Sequence, residues 1–363
     1  MGHSRAEISS ADLIIINSCA VTSGAEKESG KFSRKVKRLN PMAEILETGC
    51  RARIPGASPP VEGAVLSGSF IYLDHPGLGV ERFSGRSRAF LKVQQGCSGG
   101  CTYCSVKDLK KPFFLRSPER VLAEASDLAR SHAEIVLCAT NFALYAPLPG
   151  LVKGMRSLEG DFRWRISSVP PGVLTKELML ELEKDPGFCR HFHIPLQSAS
   201  DRVLELMGRP YRMSHIRKAL SDASEILEGV TFSLDIIAGF PGEEPEDFRK
   251  TLDFIRDIVP VKVHVFRYSP RPGTAAFSMK DTVGEEERKN RARLLIEVSS
   301  RMRRIRFEEA KGRPAEVVLE ADGRGYTRGY LPVNAGSYKG TEKGVVRLEK
   351  VELRGSELRG TCI

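Results

Sequence analysis

The amino-acid sequence predicts an α/β protein: a partial (β/α)6 barrel, preceded by a short α/β unit and followed by a small β-barrel. Three observations carry this. From residue 89 to residue 266, six β-prone apolar runs alternate with helical stretches, and parallel strands joined by right-handed helical crossovers close, or partly close, into a barrel. Residues 12–50 hold a separate strand–helix–strand pattern. Residues 313–363 hold short β-prone runs broken by glycines, the pattern of a small β-barrel.

In chain order, residues 12–16 read as a short buried strand ending at Asn17-Ser18-Cys19, followed by a basic helix over 27–38. A second strand over 44–48 ends at Gly49-Cys50, so two cysteines sit just past the carboxyl ends of two strands, where open α/β sheets place their sites. Residues 51–88, rich in Gly, Pro and Ser, read as a linker. Barrel strands are expected at 89–94, 134–138, 163–167, 191–195, 230–237 and 261–266. The helices between them fall at 117–131, 149–158, 175–184, 200–207 with 213–227, and 244–258. A long basic helix near 284–310 leads to the β-prone runs at 315–320 and 344–353. The expected domains are 1–70, 85–283, a connecting helix 284–312, and 313–363; a chain of 363 residues has room for two or three.

A hydrophobic fraction of 41% and a charged fraction of 28% are ordinary for a globular chain. No apolar run approaches the roughly 18 residues that span a bilayer, and no basic-then-apolar leader opens the chain, so a cytoplasmic protein without membrane partners is expected. The net charge of +10 favours a polyanion such as nucleic acid. Aromatics at 7%, with Trp164 the one tryptophan, argue against a surface built mainly on base stacking. The eight cysteines suit metal or redox ligation better than a disulfide framework. Cys138, Cys189 and Cys362 have no partner at ligand spacing and read as inert thiols.

Cys97, Cys101 and Cys104 form a C-x3-C-x2-C loop with glycines, directly after the first barrel strand. Three thiolates this close can reach three irons of a cubane cluster and leave the fourth open. A structural zinc site wants four ligands and finds no fourth at a natural spacing. A thioredoxin-like pair leaves Cys97 unexplained.

This spacing, with Tyr103 before the last cysteine, resembles the signature of the radical S-adenosylmethionine (SAM) superfamily. The resemblance implies a [4Fe-4S] cluster whose open iron binds the amino and carboxylate groups of SAM. One electron then cleaves the sulfonium to a 5′-deoxyadenosyl radical. Further motifs resemble, in order, the methylthiotransferase family: Asn17-Ser18-Cys19, Thr48-Gly49-Cys50, Arg165-Ile166-Ser167-Ser168, Pro195-Leu196-Gln197-Ser198 running to Met207-Gly208-Arg209-Pro210-Tyr211, Asp235 to Glu243, and Tyr268 to Thr274. That family inserts sulfur and a methyl group at a carbon–hydrogen bond, usually C2 of a modified adenosine beside the tRNA anticodon. It uses an N-terminal domain with a second [4Fe-4S] cluster, a radical SAM barrel and a C-terminal TRAM domain that grips RNA.

The partners implied are the tRNA anticodon stem-loop, an electron donor and a sulfur source, neither of which the sequence identifies; a monomer is expected. The run His264-Val265-Phe266-Arg267 leading into Tyr268 most resembles the branch acting on N6-threonylcarbamoyladenosine at position 37. The alternatives are an enzyme acting on isopentenyladenosine or on a ribosomal protein, or a catalytically impaired RNA-binding remnant.

The resemblance implies roles for single residues. Ser167 and Ser168 end a strand at the barrel mouth, where hydroxyls can meet the cofactor. The Gln197 amide would reach SAM or substrate. Arg209 is either a bidentate anion clamp or a solvated arginine. Asp235 lies in an apolar strand and needs a partner: it orients cofactor or substrate, or pairs with a core arginine. Gly239 and Gly242 flank a turn that could approach the adenine closely. Arg271 would meet RNA phosphate or be an ordinary loop residue. His191 and His193 share one strand face.

Two departures stand out. Cys19 and Cys50 match two ligands of the sulfur-donating cluster, but no cysteine occurs among the 18 residues before Cys19. A truncated reading frame or an altered sulfur insertion is therefore expected. Where the family has a Thr-Gly or Gly-Gly pair, this chain has Cys138-Ala139-Thr140-Asn141, and Ala139 narrows the approach of the cofactor.

Overall fold

A computed structural model describes residues 4, 6–54, 56–67, 83, 85–110, 112–336, 345–354 and 357–362. The chain forms two compact units: one of Met1–Leu78, Gly96–Phe113 and Ser269–Ser278, the other of Gly79–Gln95, Phe114–Tyr268 and Met279–Ile363.

In the first unit, β1 (Leu13–Ser18), β2 (Glu44–Gly49) and β3 (Ala64–Leu66) form a parallel sheet in that order. Helix α1 (Ser23–Leu39) crosses between β1 and β2, its start capped by the Thr22 hydroxyl, which accepts from the Ala25 N–H at 3.1 Å. Ile16, Val36, Ile45 and Ala64 make the small core. The linker expected over 51–88 thus contains a third strand; Ala-Val-Leu is too short to show a two-residue period. Residues 68–82 of that linker lie outside the described residues. A short helix, α2 (Val106–Leu109), buries Leu109 with Ala20 and Cys50.

The second unit holds the barrel. Strands β4 (Arg88–Gln95), β6 (Glu134–Ala139) and β7 (Arg163–Ile166) pair in parallel, with the two-residue β5 (Phe114–Leu115) antiparallel on the β4 edge. Strands β8 (His191–Gln197), β9 (Thr231–Ala238) and β10 (Lys262–Arg267) form a second parallel set. Parallel bridges Trp164↔Phe188 and Ser168↔His193 join the sets, giving the six-stranded order β4-β6-β7-β8-β9-β10. The six strands fall within three residues of the expected bounds at every end. The helices are α3 (Pro118–Ala129), α4 (Leu148–Arg156), α5 (Lys176–Glu183), α6 (Asp201–Leu206), α7 (Met213–Ile226) and α8 (Pro245–Ile258).

Alternation sorts the strand faces. On β9, Phe232, Leu234 and Ile236 sink into the apolar core with residues of the helices, while Thr231, Ser233 and Asp235 share the opposite, inner face.

Helix α9 (Glu285–Ala310) leads to β11 (Ala315–Leu319), β12 (Arg324–Thr327), β13 (Pro332–Asn334), β14 (Val345–Arg354) and β15 (Glu357–Cys362). These close as a small barrel, β11-β12-β13-β15-β14, around Val317, Leu319, Val333, Leu348 and Leu358. Glu134, wholly buried at the start of β6, joins this barrel to the larger one. It is gripped by Arg163 at 2.7 Å and Arg165 at 2.8 Å, and Arg163 also donates to the Tyr326 carbonyl at 2.7 Å. Burial alone would raise the Glu134 carboxyl, but the two guanidiniums outweigh it and bring the group to about 2.

Candidate active site

The candidate residues fall in both units. In the first, the triad loop leaves the end of β4 through Gly96, whose φ of +84° and whose missing side chain are both needed. A Cβ there would stand 2.9 Å from the Phe113 Cα. Cys97, Cys101 and Cys104 are half-buried and carry thiols rather than disulfides. The Gly99 N–H donates to the Cys97 sulfur at 3.3 Å, and a Cβ on Gly99 would lie 3.2 Å from that sulfur. The Thr102 carbonyl accepts from the Ala276 N–H at 2.8 Å, which ties the loop to the 269–278 segment. Among the described residues, no three His, Cys, Asp or Glu side chains converge on one metal ion. This donor set suits a cubane, whose ligands bind three different irons, with a backbone donor to sulfur as such clusters use.

Cys19 and Cys50 follow the paired residues Ser18↔Gly49, so they leave neighbouring strands at one level. Gly49 has φ +92°, and a Cβ there would clash with the Ser18 carbonyl at 2.3 Å; only glycine allows this exit. Cys19 is exposed, and its backbone exchanges hydrogen bonds with the Ser29 hydroxyl of α1. Cys50 is buried. Two thiols are fewer than the triad provides, so the described residues do not by themselves form a second cluster site. Arg271 is held within its own unit: its Nη1 pairs with Glu26 at 2.9 Å and its side chain is 12% exposed.

In the second unit, Ser167 follows β7, its N–H donating to the Leu137 carbonyl at 2.9 Å, and Ser168 bridges to His193 of β8. Gln197 ends β8 with φ +70°, a conformation that costs a non-glycine residue about 1 kcal/mol or more and recurs at functional sites. It pairs with Ile236 across a register shift. Arg209 is a brace. Its Nε donates to the Tyr211 hydroxyl at 2.7 Å, its Nη2 to the Pro195 carbonyl at 3.1 Å, and its guanidinium lies 4.8 Å from the Tyr211 ring. Asp235, read as orienting cofactor or substrate or else pairing with a core arginine, has a histidine for a partner: its Oδ1 accepts from His193 Nε2 at 2.9 Å.

The turn after β9 is clasped by α9. Gly239 has φ +71°, and its carbonyl accepts from Arg288 Nε at 2.9 Å. Its N–H donates to Glu243, which Arg291 holds at 2.7 Å. Burial nevertheless pushes the Glu243 carboxyl up, against the pull of Arg291. Sequence reasoning missed this clasp; its only signal was two arginines three residues apart on a helix read as a basic connection. At the end of β6, the Thr140 N–H donates to the Gln94 carbonyl at 3.3 Å and the Asn141 N–H to the Gln94 side chain at 3.0 Å. The segment carrying Ala139 is thus held from β4. Burial pushes the Cys138 thiol up to about 11, the behaviour of an inert cysteine. The Cys362 side chain lies outside the described residues.

Residues 91–255 match the Radical SAM superfamily, and residues 2–58 match Uncharacterized protein family UPF0004. Threonylcarbamoyladenosine tRNA methylthiotransferase MtaB of Thermotoga maritima is 32% identical, over 87% of this chain and 81% of its own. The chain belongs to the radical SAM methylthiotransferase family. MtaB of Bacillus subtilis is 31% identical over 94% of this chain and 85% of its own. The ribosomal protein uS12 methylthiotransferase RimO of Thermotoga maritima is 30% identical over 86% and 80%. In fold, this methylthiotransferase is similar to the radical SAM methyltransferase TsrM of Kitasatospora setae, with a TM-score of 0.50 at 17% identity. That match covers 71% of this chain and 62% of TsrM. The protein is therefore an enzyme that transfers a methylthio group, with a [4Fe-4S] cluster and SAM as cofactors.

Proposed function

We propose that this methylthiotransferase acts on tRNA, at C2 of N6-threonylcarbamoyladenosine in position 37. The observation that carries the reading is similarity along most of the chain to relatives named threonylcarbamoyladenosine tRNA methylthiotransferase, at 32% and 31% identity. The net charge of +10 suits a polyanionic substrate in the cytoplasm, and the closed β-barrel after α9 is the RNA-gripping unit.

Cys97, Cys101 and Cys104 would hold the cluster, which with SAM would supply the radical chemistry that activates a carbon–hydrogen bond. The chain's own residues position the cofactor. The Ser167 and Ser168 hydroxyls and the Gln197 amide would meet its polar groups, Asp235 would accept from its donors, and the Gly239–Gly242 turn would offer backbone to its adenine. Arg209 acts from behind, fixing Pro195 and with it the exit of β8. An electron donor and a sulfur source complete the system, and the enzyme works as a monomer.

Mass spectrometry of tRNA nucleosides from a deletion strain tests the assignment. The 2-methylthio derivative is expected to vanish while N6-threonylcarbamoyladenosine accumulates; an unchanged nucleoside profile refutes it. A second reading, a protein that keeps the triad without sulfur insertion, is favoured by one observation: among the described residues, two cysteines, Cys19 and Cys50, leave the N-terminal sheet at one level, one fewer than the triad provides. About four irons per reconstituted chain supports that reading, and about eight supports two clusters.

A further inference from the structure

The inner face of the barrel carries His191, His193 and His264, none of which the proposed function uses. Two of them lie in an unbroken hydrogen-bond chain that starts in the C-terminal β-barrel. The carbonyl of Gly329, in the turn between β12 and β13, accepts from the Thr231 hydroxyl at 2.8 Å. His191 Nδ1 is 2.9 Å from Thr231 Oγ1, and His191 Nε2 is 3.1 Å from Ser233 Oγ. Ser233 Oγ is 2.8 Å from His193 Nδ1, and His193 Nε2 is 2.9 Å from Asp235 Oδ1.

Counting protons along this chain fixes its direction. A carbonyl only accepts, so the single Thr231 hydroxyl proton is committed to Gly329. His191 Nδ1 must then donate to Thr231. His191 is neutral, because burial and then the Arg165 guanidinium push its ring well below the ordinary histidine value, so its Nε2 accepts. The Ser233 proton is committed there, and His193 Nδ1 must donate to Ser233. The Asp235 carboxylate also accepts, so both nitrogens of His193 donate.

The anchor of the chain is firmly seated. Tyr330, next to Gly329, has φ +65°, a strained value for a non-glycine residue. Its ring stacks on His191 at 4.8 Å and on Tyr326 at 4.5 Å, with the Arg165 guanidinium 5.0 Å from the ring centre. The other ionisable groups facing the chain are Arg165 on β7, His264 on β10, whose ring is 5.1 Å from that of His193, and Lys262 beside it.

We propose that His193 is a positioning residue for Asp235, and that the C-terminal β-barrel, through the Gly329 carbonyl, sets its state as a double donor. Without that carbonyl the chain reverses. Thr231 donates to His191, His191 to Ser233, Ser233 to His193, and His193 to Asp235, with one proton fewer. Seating the β-barrel draws that proton from water onto His193. The carboxylate that the proposed function turns toward SAM then faces a cation instead of a neutral ring. The cofactor side of this inference rests on that reading of Asp235.

The test is long-range 1H–15N spectroscopy of the 15N-histidine-labelled full-length holoenzyme at neutral pH, assigned with single His→Gln variants. His193 is expected to show two protonated nitrogens, and His191 a proton on Nδ1 alone. In Thr231→Val, His191 is expected to move its proton to Nε2 and His193 to become neutral. Ser233→Ala, which cuts the chain elsewhere, should also leave His193 neutral. A neutral His193 in the unmodified enzyme, or a doubly protonated one in both variants, overturns the proposal. SAM binding separates the two claims. His193→Ala should weaken it about tenfold, with His193→Gln, which keeps a donor, restoring most of it. Expected spectra with unchanged SAM affinity in Asp235→Asn would uphold the chain and refute Asp235 as a cofactor ligand.

Discussion

The clasp between α9 and the turn after β9 makes a quantitative prediction through Gly239. Replacing it with alanine meets two obstacles. The residue has φ +71°, which costs an L side chain about 1 kcal/mol. The new Cβ would also stand 2.3 Å from Arg288 Cγ and 3.3 Å from its Cβ. These atoms are at the root of a side chain that is 6% exposed, so it cannot swing aside freely. Moving it breaks the bond from Arg288 Nε to the Gly239 carbonyl, a charged hydrogen bond of about 1.5–3 kcal/mol. The ion pair of Arg288 with the half-exposed Asp281 adds little. Gly239→Ala should therefore destabilise the barrel unit by about 2.5–4 kcal/mol. Gly229 is the control: it has the same φ of +71°, but a Cβ there would meet nothing within 4 Å, so Gly229→Ala should cost only about 1 kcal/mol. Urea denaturation of both variants, followed by circular dichroism, measures the difference. Equal losses would refute the claim that α9 locks this turn by contact.

Other residues give further expectations. Alanine at Cys97, Cys101 or Cys104 should strip the triad's cluster, read as a loss of about four irons per chain after anaerobic reconstitution; iron retained in all three variants would remove the triad as ligands. Glu134, brought down to about 2, contributes stability that is complete above the ordinary carboxylate value and is lost as pH falls from about 4.5 toward 2. Glu134→Gln should cost about 3–5 kcal/mol at neutral pH, because it leaves Arg163 and Arg165 buried without their anion, and it should flatten the acid limb of a stability profile. Gln197→Gly relieves the strained φ and should raise stability by about 1 kcal/mol in thermal melts, while weakening SAM binding if the amide meets the cofactor.

What was legible in the sequence follows from the length scale of each signal. The six barrel strands and their helices announce themselves through long apolar runs, and the structure keeps their order with small changes at the ends. Strand β3 is three residues long and carries no period. The polar clusters were less readable because their members are far apart in sequence. Glu243 is pinned by residues about 48 positions later, and Asp235 by His193 on the neighbouring strand. Composition gave their charges without their partners. A helix therefore read only as a basic connection, whereas two of its arginines, Arg288 and Arg291, are buried braces of the barrel.

The same reasoning bears on where this enzyme's two chemistries part. The triad loop has the local devices of a cluster site: a positive-φ glycine at its root, half-buried thiols, and a backbone donor on the Cys97 sulfur. Each lies within a few residues of the cysteines and is written in the local sequence. Cys19 and Cys50 are set level along the chain by strand register and by Gly49, at the ends of two neighbouring strands. A third ligand would have to come from a residue that the sheet does not itself position. On the proposed function, radical generation is encoded in one loop, while sulfur insertion would depend on a donor set that local structure alone does not complete. Iron counting on Cys19→Ala separates the cases. A protein that loses about four irons with that change holds a second cluster through a ligand outside this pair. One that loses none confines its iron to the triad.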